Sequence, residues 1–247
     1  PPHRVYETPM GMLNAIGLQN PGVEHVVANI LPTLDFSETR FIANVCGSTI
    51  DEYVRVTARF DDSPIDAMEI NISCPNVKQG GVAFGNDPDM SARVVAACRK
   101  MTDKPLITKL SPNQTDIQEN ARLCIEAGTD GFAVINTLMG MAIDSKTRKP
   151  VIGNVQGGLS GPAIKPVALR MVWQVATRVG VPVIGIGGIS RAIDALEFLI
   201  VGAKAVQVGT ANFVDPNAMA TIIDGLEEFC QNQGIEDINE IIGTLEV

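Results

Sequence analysis

Several kinds of site are missing from this 247-residue chain. Its five cysteines (Cys46, Cys74, Cys98, Cys124 and Cys230) include no C-x-x-C pair, which excludes the usual zinc and iron–sulfur spacings. An odd, widely spaced set fits a reducing cytoplasm better than secretion. Only two histidines are present, His3 and His25, both near the start with no evident partner, and neither reads as a ligand. Basic residues are outnumbered, 19 against 28 acidic, for a formal charge of -9. They form no stripe, which argues against a nucleic-acid surface. No apolar run approaches the ~20 residues that cross a bilayer. No signal peptide is visible either, although the chain opens at Pro1-Pro2. Low-complexity segments and linkers are absent as well, so a single domain spanning 1–247 is expected.

What is present is an alternation of short apolar runs with helical patterns. Strands are expected at Phe41–Gly47, Ala67–Asn71, Pro105–Leu110, Gly131–Asn136, Val181–Ile186 and Ala205–Val208. Helices are expected over Ile50–Phe60, Pro88–Lys100, about Thr115–Ala127, and Lys165–Arg178 with Pro166 tolerated in its first turn. Further helical segments follow the last two strands. Strands separated by helices of this length predict parallel pairing with right-handed crossovers. The near-continuous apolar strands predict a sheet covered on both faces. The fold class is therefore α/β, and 247 residues with 45% hydrophobic content suit a (β/α)8 TIM barrel. Six strand–helix units are visible against eight. Residues 1–40 give a turn-like segment at Asn14–Leu18 and a helix near Val23–Leu31, but no two good strands. The first two units are thus expected to be missing from this chain. Leu138–Gly161 reads as the longest insertion, a loop over one end.

In such barrels chemistry sits at the C-terminal ends of the strands. Those ends carry Asn44, Asn71, Cys74 and Asn76, Lys109, Asn136-Thr137, Gly187-Gly188 and Gly209-Thr210. The stretch Asn71-Ile72-Ser73-Cys74-Pro75-Asn76 is the most pointed. Its carboxamides need partners or a ligand, and the thiol is a candidate acid, base or nucleophile. By itself the stretch reads better as a strand end and a turn, with Cys74 as a small core residue, since free cysteines are commonly buried and inert. Val77-Lys78-Gln79-Gly80-Gly81 follows it as a mobile loop. The turns at Gly187-Gly188 and Gly209-Thr210, each before a helix, let backbone N–H groups approach a phosphate. Glycines that merely permit tight turns are the plainer account. Gly157–Gly161 is a further glycine-rich stretch that could close over the same group. Lys109 lies on an apolar strand, where a lysine needs a partner. It either faces an anionic ring such as a reduced flavin or snorkels to water.

Together, Asn71–Asn76, Lys109, Asn136-Thr137 and the two glycine turns resemble the dihydroorotate dehydrogenases. Asn14–Asn20 and the run Gly157–Pro166 extend the resemblance through nearly the whole chain. The resemblance implies a TIM barrel holding one FMN per catalytic chain, and oxidation of dihydroorotate to orotate in pyrimidine synthesis. It makes Cys74 the base. Asn14, Ala15, Ile16, Gly17, Leu18, Asn71, Asn76, Asn136 and Thr137 are implied to surround the orotate. Asn44, Asn71, Lys109 and Ile135 would contact the FMN ring and ribityl chain, and Gly161, Gly187, Gly188, Gly209 and Thr210 its phosphate. Quinone-linked membrane relatives carry serine where Cys74 stands, and the following loop looks most like the NAD-linked catalytic subunit. That likeness implies a homodimer joined to an electron-transfer subunit bearing FAD and a [2Fe–2S] cluster, a heterotetramer in the cytoplasm. The family also begins with two further strands, which carry a flavin-contacting loop and a lysine reaching FMN and substrate; neither is found here. Three other readings remain at this point. One is a flavin barrel acting on dihydrouracil. Another is a phosphate-binding isomerase or aldolase without flavin, which would want acidic or lysine catalysts at the strand ends, where Lys109 stands but no carboxylate does. The third is a non-enzymatic scaffold subunit.

Overall fold

Helix caps and apolar spacing place most elements where the sequence predicts them. The computed structural model describes residues 3–73 and 84–246. They divide into two compact units, one of residues 1–16 with 134–247 and one of residues 17–133. Cys74, Pro75, Asn76 and the Val77–Gly81 loop lie outside the described residues.

The first unit opens with an antiparallel hairpin, β1 (Val5–Thr8) and β2 (Gly11–Asn14), which the sequence did not announce. Only Leu13 of these eight residues is buried, so there was no apolar alternation to read.

In the unit of residues 17–133, α1 (Val23–His25) runs into a π turn at Val26–Ile30 and a 3-10 turn at Leu31–Thr33. The single helix expected there is broken into three geometries. The parallel elements then follow in order. They are β3 (Ile42–Val45), α2 (Ile50–Asp61), β4 (Ala67–Asn71), α3 (Pro88–Arg99), β5 (Leu106–Leu110), α4 (Ile117–Glu126) and β6 (Gly131–Val134). Three of the helices are capped by oxygen side chains. Thr49 accepts from Glu52 N, Asp87 from Asp89 N and Met90 N, and Asp116 from Gln118 N and Glu119 N. Each buries one stripe, as Tyr53, Thr57 and Phe60 do on α2. The strand order is β6-β5-β4-β3, with Asn44 opposite Glu69 and Asn71 opposite Lys109. The first four residues of β4 are all buried, as a strand covered on both faces requires.

The other unit resumes with β7 (Leu138–Gly140), β8 (Ile143–Asp144), β9 (Lys149–Pro150) and β10 (Gly157–Ser160). The insertion expected as a loop therefore carries four short strands. β10 pairs antiparallel with β2 on one side and β7 on the other. Gly157–Ser160 is thus a sheet strand with two buried glycines, and not a closing loop. Helix α5 (Lys165–Ala176), β11 (Val183–Ile186), α6 (Ala192–Ile200), β12 (Ala205–Gln207), α7 (Ala211–Val214) and α8 (Ala218–Gln233) complete the unit. β11 and β12 pair in parallel, and Ile135 N–H donates to Ile186 O at 3.0 Å. No helix among the described residues is long and apolar enough to cross a membrane.

Candidate functional site

Among the described residues, most of those singled out by the sequence fall into two clusters, one in each unit. In residues 17–133 the centre of the cluster is a residue the sequence reading passed over, Glu69. Its carboxylate sits inside apolar β4 with the side chain only 5% exposed. Oε1 accepts from Lys109 Nζ at 3.0 Å and from Asn44 Nδ2 at 2.5 Å. Asn44 Oδ1 in turn accepts from Asn71 Nδ2 at 3.4 Å, and Asn71 Oδ1 from Ser73 N at 3.3 Å. The backbone around Asn71 is fixed as well. The buried Tyr53 hydroxyl donates to Asn71 O at 2.6 Å, and Ser73 Oγ donates to Lys109 O at 3.0 Å.

This arrangement answers the question Lys109 posed. The ammonium neither snorkels nor stands alone, because a buried carboxylate pairs with it. It also brings in a carboxylate that the strand ends themselves do not carry, since Glu69 lies inside β4. The signal was available, since a Glu two residues before Asn71 must share its face of the strand. The flavin-free isomerase reading gains nothing, because this carboxylate is committed to Lys109 and Asn44.

The flanks of the segment containing Cys74 are held together. Gly85 N–H donates to Ile72 O at 2.8 Å, and buried Asn120 Nδ2 donates to Gly85 O at 3.0 Å. Gly17 (φ +73°) and Leu18 are exposed at the start of this unit. Leu18 and Asn44 line the same cavity of about 570 Å³, together with Phe41, Ile42 and Phe60.

In the other unit, β2, β10 and the start of β7 assemble the remaining substrate candidates. Asn14 lies opposite Gly158, and Asn14 Nδ2 donates to Gly158 O at 3.4 Å. A Cβ on Gly158 would stand 2.2 Å from Thr137 Oγ1, so this glycine is what lets the threonine side chain lie flat on the strand. Asn136 Oδ1 accepts from Thr137 N at 2.7 Å. Ala15 N–H donates to Arg4 O at 2.8 Å, while Ile16 is exposed. Ile135 is buried.

The glycine turns form a cradle. Gly161, Gly187 and Gly188 have φ of +92°, +134° and +76°, a region L side chains rarely adopt. A Cβ on Gly188 would lie 2.8 Å from Gly161 O and 3.0 Å from Lys165 N. Gly209 faces open space, and Thr210 Oγ1 donates to Ser160 Oγ at 2.8 Å. Closely approaching backbone at a helix start is the donor set a phosphate monoester takes. Behind the cradle, Asp194 accepts from Ser190 N at 3.0 Å, Ser190 Oγ and Arg191 N at 2.9 Å, and Lys165 Nζ at 2.8 Å. Burial pushes the Asp194 carboxyl up, but Lys165 and Ser190 outweigh it and hold it below the ordinary range.

Comparison with known proteins gives the family of the chain. Residues 1–230 match the family model described as Dihydroorotate dehydrogenase. The chain is 60% identical over 247 residues to the "Dihydroorotate dehydrogenase B (NAD(+)), catalytic subunit" of Trichlorobacter lovleyi, covering all of this chain and 81% of that protein. It is 56% identical over the same spans to the protein of that name from Pelobacter propionicus. Among solved structures, an Eimeria tenella DHODH in complex with ferulenol superposes with a TM-score of 0.77 at 20% identity, over 98% of this chain and 76% of that one. That likeness shows the fold alone, and it agrees with the (β/α)8 barrel class expected from the strand–helix alternation.

Proposed function

The chain belongs to the dihydroorotate dehydrogenase family, and from that premise we propose that it oxidises (S)-dihydroorotate to orotate in pyrimidine synthesis as the FMN-bearing catalytic subunit of an NAD-linked enzyme. The observation that carries the FMN assignment is the glycine cradle. Three positive-φ glycines with no room for a Cβ at Gly188 suit the backbone to a phosphate. Gly161, Gly187, Gly188, Gly209 and Thr210 would hold that phosphate, while Asn44, Asn71, Lys109 and Ile135 would meet the ring and ribityl chain. When bound, FMN supplies a two-electron acceptor for the hydride leaving substrate C6.

The chain's own residues do the rest. Asn14, Asn71, Asn76, Asn136 and Thr137, with the backbone of Ala15–Leu18, orient a planar anion whose amide edges need both donors and acceptors, which carboxamides provide. Cys74 takes the proton from C5, acting as base once bound substrate excludes water. Electrons reach NAD through a second subunit carrying FAD and a [2Fe–2S] cluster, which joins a homodimer of this chain in the cytoplasm.

An anaerobic visible spectrum of the purified protein, recorded before and after dihydroorotate, tests the reading. A flavin spectrum that bleaches supports cofactor and substrate together. A flavin that bleaches with dihydrouracil and stays oxidised with dihydroorotate would move the substrate assignment. Absence of flavin, in this chain and in one extended to the length of its relatives, would overturn the assignment.

A further inference from the structure

Glu69 is a buried carboxylate that organises residues assigned to the flavin ring, and no role is assigned to it. We propose that Glu69 is a positioning residue that sets both the charge and the hydrogen-bonding sense of the flavin-facing edge; the inference rests on the FMN reading above.

The charge argument begins with burial. Glu69 and Lys109 have side chains only 5% and 17% exposed, and their N···O distance is 3.0 Å. In that setting screening by water is weak, so each group acts on its neighbours as half of a neutral pair. A flavin ring lying on Lys109 would therefore meet a compensated cation. Taking the negative partner away leaves a full positive charge, which favours the anionic reduced ring over the neutral oxidised one.

The hydrogen-bonding argument concerns direction. A carboxylate only accepts, so the Asn44 edge facing it must be the amide NH2. That leaves Asn44 Oδ1 to accept from Asn71 Nδ2, and Asn71 Oδ1 to accept from Ser73 N. One acceptor thus fixes the orientation of two carboxamides in succession. The register makes this possible, because Asn44 stands opposite Glu69 on β3 and Lys109 opposite Asn71 on β5.

The test is the midpoint potential of bound FMN in four forms of the FMN-loaded protein: parent, Glu69→Gln, Lys109→Met and the double variant. The net charge of the pair is 0, +1, -1 and 0 across the series. Glu69→Gln should move the potential positive, seen as about a tenfold tighter hold on reduced relative to oxidised FMN. Lys109→Met should move it negative, and the double variant should return close to the parent. A merely structural glutamate predicts instead that Glu69→Gln shifts in the same direction as Lys109→Met, through a misplaced lysine, and that result would overturn the proposal. If Glu69→Gln fails to fold, the double variant still decides, since a potential as low as that of Lys109→Met refutes charge compensation. A parent protein that takes up no FMN would sink the functional reading itself, and this inference with it.

Discussion

Lys165 Nζ lies 2.8 Å from Asp194 Oδ1 and 2.7 Å from Glu197 Oε2, so the lysine beside the glycine cradle is committed to carboxylates. Burial works against its ammonium, yet the two acids outweigh that and raise its pKa above the ordinary lysine value. The cradle is thus braced by an ion pair. Asp194 is the more buried partner, and its carboxylate also receives the N–H groups of Ser190 and Arg191.

That bracing has a pH signature. The Asp194 pKa in the folded protein lies below the ordinary 3.8, so native-state protonation is harder than protonation of the unfolded chain. Its contribution to stability is present above about pH 4 and disappears as pH falls through the depressed value. Asp194→Asn should cost about 2 kcal/mol at neutral pH and flatten the acid limb of unfolding below pH 4. Denaturant titrations at pH 7 and across the acid range measure both. An acid limb unchanged in the variant would refute the assignment.

Gly188→Ala should weaken FMN binding at least about tenfold and destabilise the fold by roughly 1–3 kcal/mol. The reason is local: the new Cβ meets two backbone atoms, Gly161 O and Lys165 N, at a φ of +76°. Gly180→Ala is the control, because a Cβ there meets nothing within 4 Å. FMN fluorescence titration of both variants would show the contrast, and equal affinities would remove Gly188 from the phosphate site.

Replacing Cys74 by alanine should lower steady-state dihydroorotate oxidation by about 100- to 10,000-fold while the protein retains FMN. Stopped-flow flavin reduction, read beside flavin content, separates a lost base from a lost cofactor. Normal turnover would take Cys74 out of the mechanism.

Cys98 and Cys124 should be quiet. Burial pushes the Cys124 thiol up to about 12 and raises Cys98 as well, both with no exposed surface. Burial and, secondarily, Glu52 raise Cys46. Since the thiolate is the reactive form, iodoacetamide at pH 8 should leave Cys98 and Cys124 unmodified until denaturant is added. Peptide mass mapping reads this directly, and early labelling of either residue would contradict its burial.

The parallel core was legible because its strands are near-continuous apolar runs and its helices carry Thr49, Asp87 and Asp116 at their starts. Period and capping are local properties, readable without knowing what packs on what. β1, β2, β7 and β10 were not legible, since the sheet they form depends on β2 pairing antiparallel with β10, more than a hundred positions away, as in Asn14 with Gly158. Short strands with one buried residue, or with two glycines, carry no alternation to betray them. The candidate site divides in the same way. Residue types along the strand ends announced Asn44, Asn71, Lys109 and the glycine turns, because side-chain chemistry travels with the sequence. Only tertiary structure decided which of them meet. Lys109 finds Glu69 on the neighbouring strand, Thr137 finds room over Gly158, and Asp194 gathers Lys165 and Ser190 behind the cradle. A buried charge in a strand says that a partner must exist, since its desolvation demands one. Which residue answers is fixed by strand register, a relation between distant segments.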